Sequence, residues 1–400
     1  MTDSTKPVLG VGMAGYAFMG RAHSQAWRTV GHFFDLPMRV DLAAICGRDP
    51  DAVAAAARTL GWRSHETDWR RLIERDDIHL VDVCTPGSSH CEIAIAALEA
   101  GKHVLCEKPL ANTADEAVAM VDAARRAARD GVRAMVGFNY RRVPAATLAR
   151  RLVADGRIGA IRHVRAVYLQ DWIVDPEFPL VWRLRQEAAG SGALGDLGAH
   201  IIDLSQYITG QRISAVSALT ETFVRERPLP EHTANGDRGP VTVDDAALFL
   251  ARLDGGAVAT YEASRFATGR KNALRIEVNG ALGSLAFDLE RLNELEFYDG
   301  TDPAAEQGFT RILVTEADHP YLSAWWPPGH LLGYEHSFTH EVRDLVHDIA
   351  AGTDPVPGFE DGLQVQLVLD AVERSARQSA GWVDVAGSDR SAAVSTPSTG

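Results

Sequence analysis

The chain has 400 residues, 46% of them hydrophobic and 24% charged, with a formal net charge of −14. That balance excludes wholesale disorder, and the length suits two or three domains. The acidic surface argues against nucleic acid or anionic membranes as partners, because the arginine pairs Arg125-Arg126, Arg141-Arg142 and Arg150-Arg151 are scattered and form no patch.

Met1 to Pro7 leads into a run broken by glycines, Val8 to Gly20, and not into the apolar core of a signal peptide. No stretch approaches the ~20 apolar residues of a membrane span. Four cysteines, Cys46, Cys84, Cys91 and Cys106, form no CxxC pair and no zinc spacing, which predicts reduced, mostly buried thiols. A cytoplasmic protein is expected.

Val8–Ala14 reads as a strand and Met19–Val30 as a helix, followed by strand Asp41–Cys46 and helix Asp51–Leu60. Strand Leu80–Cys84, helix Glu92–Ala100, strand His103–Cys106, helix Ala114–Arg129 and strand Ala134–Asn139 continue the alternation. Nearly all-apolar strands alternating with helices predict a parallel sheet covered on both faces. Beyond about residue 150 the rhythm changes. Val164–Gln170, Ala246–Leu253, Ala257–Ser264, Arg275–Val278 and Ser284–Asp288 read as strands, with hairpin signals at Asp254-Gly255-Gly256 and Asn279-Gly280. Helices are expected at Asp196–Ile208, Ser337 to about Ala350, and Leu363–Ser379. The reading is α/β: a dinucleotide-binding domain over 1–140, an α+β domain with a large, mostly antiparallel open sheet over 141–388, and a disordered tail over 389–400.

Two registers of a dinucleotide fingerprint overlap, Gly10-x-Gly12-x-x-Gly15 and Gly15-x-Ala17-x-x-Gly20. The first leaves only Val8 and Leu9 as the strand. The second keeps a strand of seven residues and puts Gly15, Ala17, Phe18, Met19 and Gly20 at the start of a helix, where backbone N–H groups face a pyrophosphate. The alternative is a glycine-rich turn with no ligand. At the end of the second strand, Gly47 and Arg48 replace the carboxylate that grips an adenosine ribose, which favours NADP over NAD unless Asp49 reaches the ribose.

Lys108, in Glu107-Lys108-Pro109, lies at the carboxyl end of a parallel strand, the edge where open α/β sheets bind ligands. An ammonium there holds an alcohol oxygen as it becomes an alkoxide, or it is a solvated strand end. Asp196 and His200 stand four residues apart on one helix face, beside a buried stripe of Leu197, Ile201, Leu204 and Ile208. Asp196 is a candidate ligand or a helix cap, His200 a candidate base or a core histidine, and Asp203 is read as structural. His336 and His340 share a helix with Glu341, but no third ligand has a supporting spacing, so no metal is expected.

Gly15-Tyr-Ala-Phe-Met-Gly20-Arg-Ala-His23, Thr85-Pro86-Gly-Ser-Ser-His90, Glu107-Lys108-Pro109 and Gly195-Asp196-Leu-Gly-Ala-His200 together resemble the Gfo/Idh/MocA family, over roughly residues 7 to 380. The resemblance implies a Rossmann domain followed by an α+β domain whose open sheet often joins subunits. It also implies NAD(P)-linked oxidation of a secondary alcohol on a sugar, anhydrosugar or cyclitol. By resemblance His200 accepts the hydroxyl proton, Asp196 holds that hydroxyl or its neighbour, and Lys108 orients and polarises. Thr85, Pro86 and His90 line the cofactor, and Glu107 lies near its ribose. Trp172, Trp182, Arg183, His330 and Tyr334 supply aromatic faces and polar groups suited to a small polyol, in an arrangement that looks like the inositol and levoglucosan dehydrogenase branch; otherwise the tryptophans fill a domain junction. A homodimer or homotetramer is expected. Two other activities known among relatives stay open: redox-neutral, NAD-dependent glycosidase chemistry, and dinucleotide sensing without turnover.

Overall fold

The computed structural model describes residues 6–230 and 236–386, so the tail expected at 389–400 lies outside the described residues. The first part of the chain alternates β1 (Val8–Ala14), α1 (Phe18–Phe33), β2 (Arg39–Cys46), α2 (Pro50–Leu60), β3 (Ser64–Glu66), α3 (Trp69–Ile73), β4 (Leu80–Val83), α4 (His90–Glu99), β5 (His103–Glu107), α5 (Ala114–Ala128) and β6 (Ala134–Gly137). Then come α6 (Pro144–Ala154), β7 (Ile161–Leu169), the short α7 (Gln186–Ala189), α8 (Ala199–Thr209), β8 (Ile213–Glu221), β9 (Glu226–Pro228) and β10 (Arg238–Pro240). The chain continues through β11 (Ala246–Leu253), β12 (Val258–Ser264), β13 (Ala273–Gly280), β14 (Gly283–Asp288), β15 (Glu294–Asp299), β16 (Thr310–Leu313), α9 (Tyr334–Ala351), α10 (Phe359–Arg377) and β17 (Val383–Asp384).

Two compact units result. The first contains the described residues up to Thr147, Gln186–Gly190 and Leu313–Gln366. Its sheet has the order β3-β2-β1-β4-β5-β6 and every pairing is parallel, the doubly wound arrangement that the alternating pattern predicts. Local chemistry sets the helix ends. Asp49 accepts from the Asp51 and Ala52 amides at the start of α2, and Gly61 ends that helix in the left-handed region at φ 84°. Thr113 and Glu116 form a reciprocal capping box on α5. The core joins Leu9, Val11 and Met13 of β1, Trp27 and Val30 of α1, and Leu105 of β5 to Phe338, Val342, Leu345 and Val346 of α9.

The second unit is built on a sheet of nine strands, ordered β16-β15-β14-β13-β7-β12-β11-β8-β17. It is larger than the five segments read from the sequence. It is mostly antiparallel, as expected, with β7 and β12 as its parallel pair. Strand residues alternate between faces: Phe249 and Ala251 are buried while Leu248, Leu250 and Arg252 are exposed. The helix expected at Asp196–Ile208 begins instead with a π turn, Leu194–Gly198, that passes into α8. Its apolar stripe, Leu197, Ile201, Leu204 and Ile208, is buried as read. Cys46, Cys84 and Cys106 are buried free thiols and Cys91 is half-buried. No helix among the described residues is long and apolar enough to cross a membrane.

Candidate active site

Three residues, Gly15, Tyr16 and Ala17, make the turn from β1 to α1. Gly15 has φ +104°, and a Cβ on it would stand 2.6 Å from the Cys84 carbonyl oxygen. A Cβ on Gly20 would stand 2.3 Å from the Gly15 carbonyl oxygen, so the helix start packs directly on the turn. Gly10 and Gly12 lie inside β1, which makes Gly15-x-Ala17-x-x-Gly20 the loop register. No acidic residue occupies the first turn of α1, and Phe18 is exposed there with Met19 half-buried. The free N–H groups of that turn fit a pyrophosphate. At the end of β2 the Tyr16 ring covers Gly47, where a Cβ would meet its Cε1 at 1.9 Å. Arg48 is exposed, and one Asp49 oxygen is engaged in capping α2.

The ends of β4 and β5 are tied to each other. Ser89 donates to the Thr85 hydroxyl at 2.7 Å and to the Pro86 carbonyl at 2.9 Å. The His90 ring sits between the Pro109 carbonyl, 3.0 Å from Nδ1, and the Thr85 carbonyl, 2.9 Å from Nε2. Burial lowers its pKa against the pull of those two carbonyls. Glu107 is buried, and its Oε2 accepts from the Lys108 amide at 3.1 Å. Its Oε1 faces His23 Nε2 at 2.9 Å, so the carboxylate is aimed into the unit.

In the second unit Asp196 lies on the π turn and His200 one turn later, on α8. Asp244 holds the π turn from beneath, its carboxylate accepting from the Gly192 amide at 2.7 Å and the Leu194 amide at 2.8 Å. Such single-turn π segments are frequent at functional sites. Buried Arg265 donates to the Asp244 carbonyl at 3.0 Å and holds one Nη 3.9 Å from Asp196 Oδ2. His200 is buried with its ring 5.8 Å from that of Tyr168, edge to face. Trp172 packs edge-on against Phe178 at 5.3 Å and under the Arg265 guanidinium at 5.6 Å. Arg183 lies over the Trp182 ring at 4.4 Å. The second unit therefore carries Asp196, His200, Trp172, Trp182 and Arg183. The first carries Lys108, the glycine loop, Thr85, Pro86, His90 and Tyr334. Tyr334 opens α9 and stacks on Phe18 at 6.3 Å, whereas His330 is exposed and bonds the Pro327 carbonyl.

Residues 9–138 match the oxidoreductase family with an NAD-binding Rossmann fold, Gfo/Idh/MocA, and residues 147–286 match that family's C-terminal domain. The levoglucosan dehydrogenase of Pseudarthrobacter phenanthrenivorans is 43% identical over 94% of this chain and 98% of its own. The chain belongs to the Gfo/Idh/MocA family. A crystal structure of an oxidoreductase domain protein from Kribbella flavida is 66% identical, with a TM-score of 0.92, over 95% of this chain and 99% of that one. A levoglucosan dehydrogenase in complex with NADH and levoglucosan is 43% identical, with a TM-score of 0.90, over 95% of this chain and 100% of that one. As a Gfo/Idh/MocA member, the protein is an oxidoreductase with an NAD-binding Rossmann fold.

Sequence reasoning gave no role to His23, Asp82, Asp244, Arg265 or Glu341. For His23 a signal existed: with Trp27 it falls four residues apart on the buried face of α1. Arg265 and Asp244 offered none, because the π turn they hold lies some 50 to 70 residues earlier in the chain. Of the two histidines on α9, His340 accepts from Trp325 Nε1 at 2.7 Å and bonds the Arg142 carbonyl at 2.9 Å.

Proposed function

We propose that the protein oxidises a secondary hydroxyl of levoglucosan or a closely similar anhydrosugar. The observation that carries this reading is the 43% identity, over nearly the whole of both chains, to a levoglucosan dehydrogenase whose structure is described with NADH and levoglucosan. Carried over residue by residue, His200 takes the hydroxyl proton, Asp196 fixes the position of that hydroxyl or its neighbour, and Lys108 polarises the oxygen as it becomes a carbonyl. NAD(P), when bound, accepts the hydride. Trp172, Trp182, Arg183 and Tyr334 supply the apolar faces and polar rim that a bicyclic sugar presents in complement.

At the β2 end, exposed Arg48 and the absence of a carboxylate at Gly47 support use of NADP alongside NAD. Arg48→Ala is then expected to lower kcat/KM for NADP about tenfold, the value of one charge-assisted contact, with little change for NAD. An equal loss for both cofactors counts against this role. Exposed Leu219, Leu248, Leu250 and Val258 share one face of the large sheet, which supports a homodimer or homotetramer formed through that face. The four unpaired cysteines support a cytoplasmic setting, which cell fractionation tests.

The first experiment is absorbance at the reduced-nicotinamide band, with the purified protein, NAD or NADP, and a panel of levoglucosan, cyclitols and aldoses. Turnover strongest with levoglucosan is expected. Turnover confined to a cyclitol or aldose rejects the anhydrosugar assignment, and free sugar release without net NADH rejects the dehydrogenase reading.

A further inference from the structure

The interior of the first unit holds an unusual concentration of charge. His23 Nδ1 lies 3.1 and 2.9 Å from the two Asp82 oxygens, and Nε2 lies 2.9 Å from Glu107 Oε1. All three side chains are buried, His23 and Asp82 completely. Carboxylates only accept, so a ring facing one at each nitrogen is satisfied when both nitrogens carry protons. The arrangement is an imidazolium between two carboxylates. Burial alone would lower the pKa of His23, yet Asp82 and its neighbours hold it well above the ordinary value. The remaining valences are also filled. Trp27 Nε1 donates to Asp82 Oδ2 at 2.7 Å, the Cys84 thiol lies 3.4 Å from Asp82 Oδ1, and the Lys108 amide donates to Glu107 Oε2.

His23, Asp82 and Cys84 also have the composition of a metal-binding trio. Here, however, the imidazole and indole N–H groups already take up the Asp82 carboxylate, and burial pushes the Cys84 thiol far up, which keeps it protonated. What the network does is join three elements at one end of the sheet. His23 belongs to α1, which the glycine loop starts; Asp82 to β4, which leads into Thr85-Pro86; and Glu107 to β5, which delivers Lys108.

We propose that His23 is a positioning residue for Lys108: it fixes the Glu107 carboxylate, and Glu107 fixes the peptide that places the Lys108 ammonium relative to the cofactor loop. The inference rests on the reading of Lys108 as the group that polarises the substrate oxygen. Other groups facing His23 are Glu341 and the Phe338 ring, 5.3 Å away on α9, with Tyr334 and Tyr140 beyond Glu107. Loss of the imidazolium removes the group that bridges Glu107 to Asp82 and leaves the two buried carboxylates facing each other across the gap.

The chain has four lysines, Lys6, Lys102, Lys108 and Lys271, which permits a readout independent of any substrate. Reductive methylation with carbon-13 formaldehyde gives each lysine a resonance, and Lys108→Arg assigns the one of interest. In His23→Gln and in Glu107→Gln the Lys108 resonance is expected to move or broaden while those of Lys6, Lys102 and Lys271 stay in place. In the sugar assay kcat falls roughly 10–100-fold in both variants, as for a misplaced catalytic group, and in His23→Gln the Kd for NADH stays within about threefold of wild type. If His23→Gln does not fold, the near-isosteric Glu107→Gln carries the test. A wild-type Lys108 resonance and retained kcat in the folded variants overturn the proposal, even where Tm has dropped, because the cluster is then only structural. Retained turnover in Lys108→Ala is a separate failure: it removes the polarising role of Lys108 and leaves the link between His23 and the β5 end to the resonance alone.

Discussion

Glu341 is fully buried on α9, and neither carboxylate oxygen has a hydrogen-bond partner among the described residues. Burial pushes its pKa up to about 8, against opposing pulls from His23 and Arg142. Between about pH 4.5 and 8 the unfolded chain has ionised this group and the folded protein has not, so stability falls as pH rises, by about 1.4 kcal/mol per unit. His23 acts in the same direction, since its raised pKa gives stability that fades as pH climbs through the folded value. Glu341→Gln removes the carboxyl part alone. Its Tm should gain on wild type steadily from pH 5.5 to pH 8, and parallel curves would show that Glu341 ionises normally. For the chemistry, Lys108→Ala and His200→Ala should each lower kcat/KM by roughly 10²–10⁴-fold, the range for removing a general base or an electrostatic stabiliser. NADH titration should meanwhile stay close to wild type. Full activity in both variants would sink the assigned roles.

At the scale of elements, the π turn depends on a single carboxylate from the strand edge. Asp244→Ala leaves the Gly192 and Leu194 amides without their acceptor, a cost of about 1–3 kcal/mol. Because Asp196 rides on that turn, kcat should fall about tenfold or more; steady-state kinetics beside thermal melts will separate this from a stability loss alone. What could be read in the sequence follows the same division between local and distant causes. β1, α1 and the stripe of α8 were legible because their periodicity is carried by their own residues. β9, β10 and β16 were not, being three or four residues long and carrying Pro or Arg in place of an apolar run. The π turn was missed because Asp244 enforces it from some 50 residues downstream. In the site, the glycine loop and Lys108 announce themselves by their place between strand and helix. The partners of His23, 59 and 84 residues away, leave no mark near it.

At the scale of the whole molecule, the large sheet buries one face and leaves apolar side chains on the other. Leu248 of β11 lies opposite Leu219 of β8, Leu250 follows two residues on, and Val258 stands opposite Arg252. A carboxylate added between Leu248 and Arg252 puts an uncompensated charge among the leucines and opposes the subunit interface proposed for this face. Leu250→Asp is therefore expected to shift the protein to a smaller species in light scattering while its circular dichroism stays native. An unchanged mass would remove this face as the interface.

The contribution of α9 to the first unit bears on how the protein is made. Phe338, Val342, Leu345 and Val346 are buried in the same core as β1 and α1, yet they follow some 200 residues after β6 in the chain. Each such side chain is worth roughly 1.5–3 kcal/mol, so the four together rival the 5–15 kcal/mol that holds a typical domain folded. On the ribosome the nucleotide-binding unit must wait, with its apolar floor uncovered, until almost the entire polypeptide has emerged. A truncated gene product ending near residue 147 should aggregate, and the full chain should not.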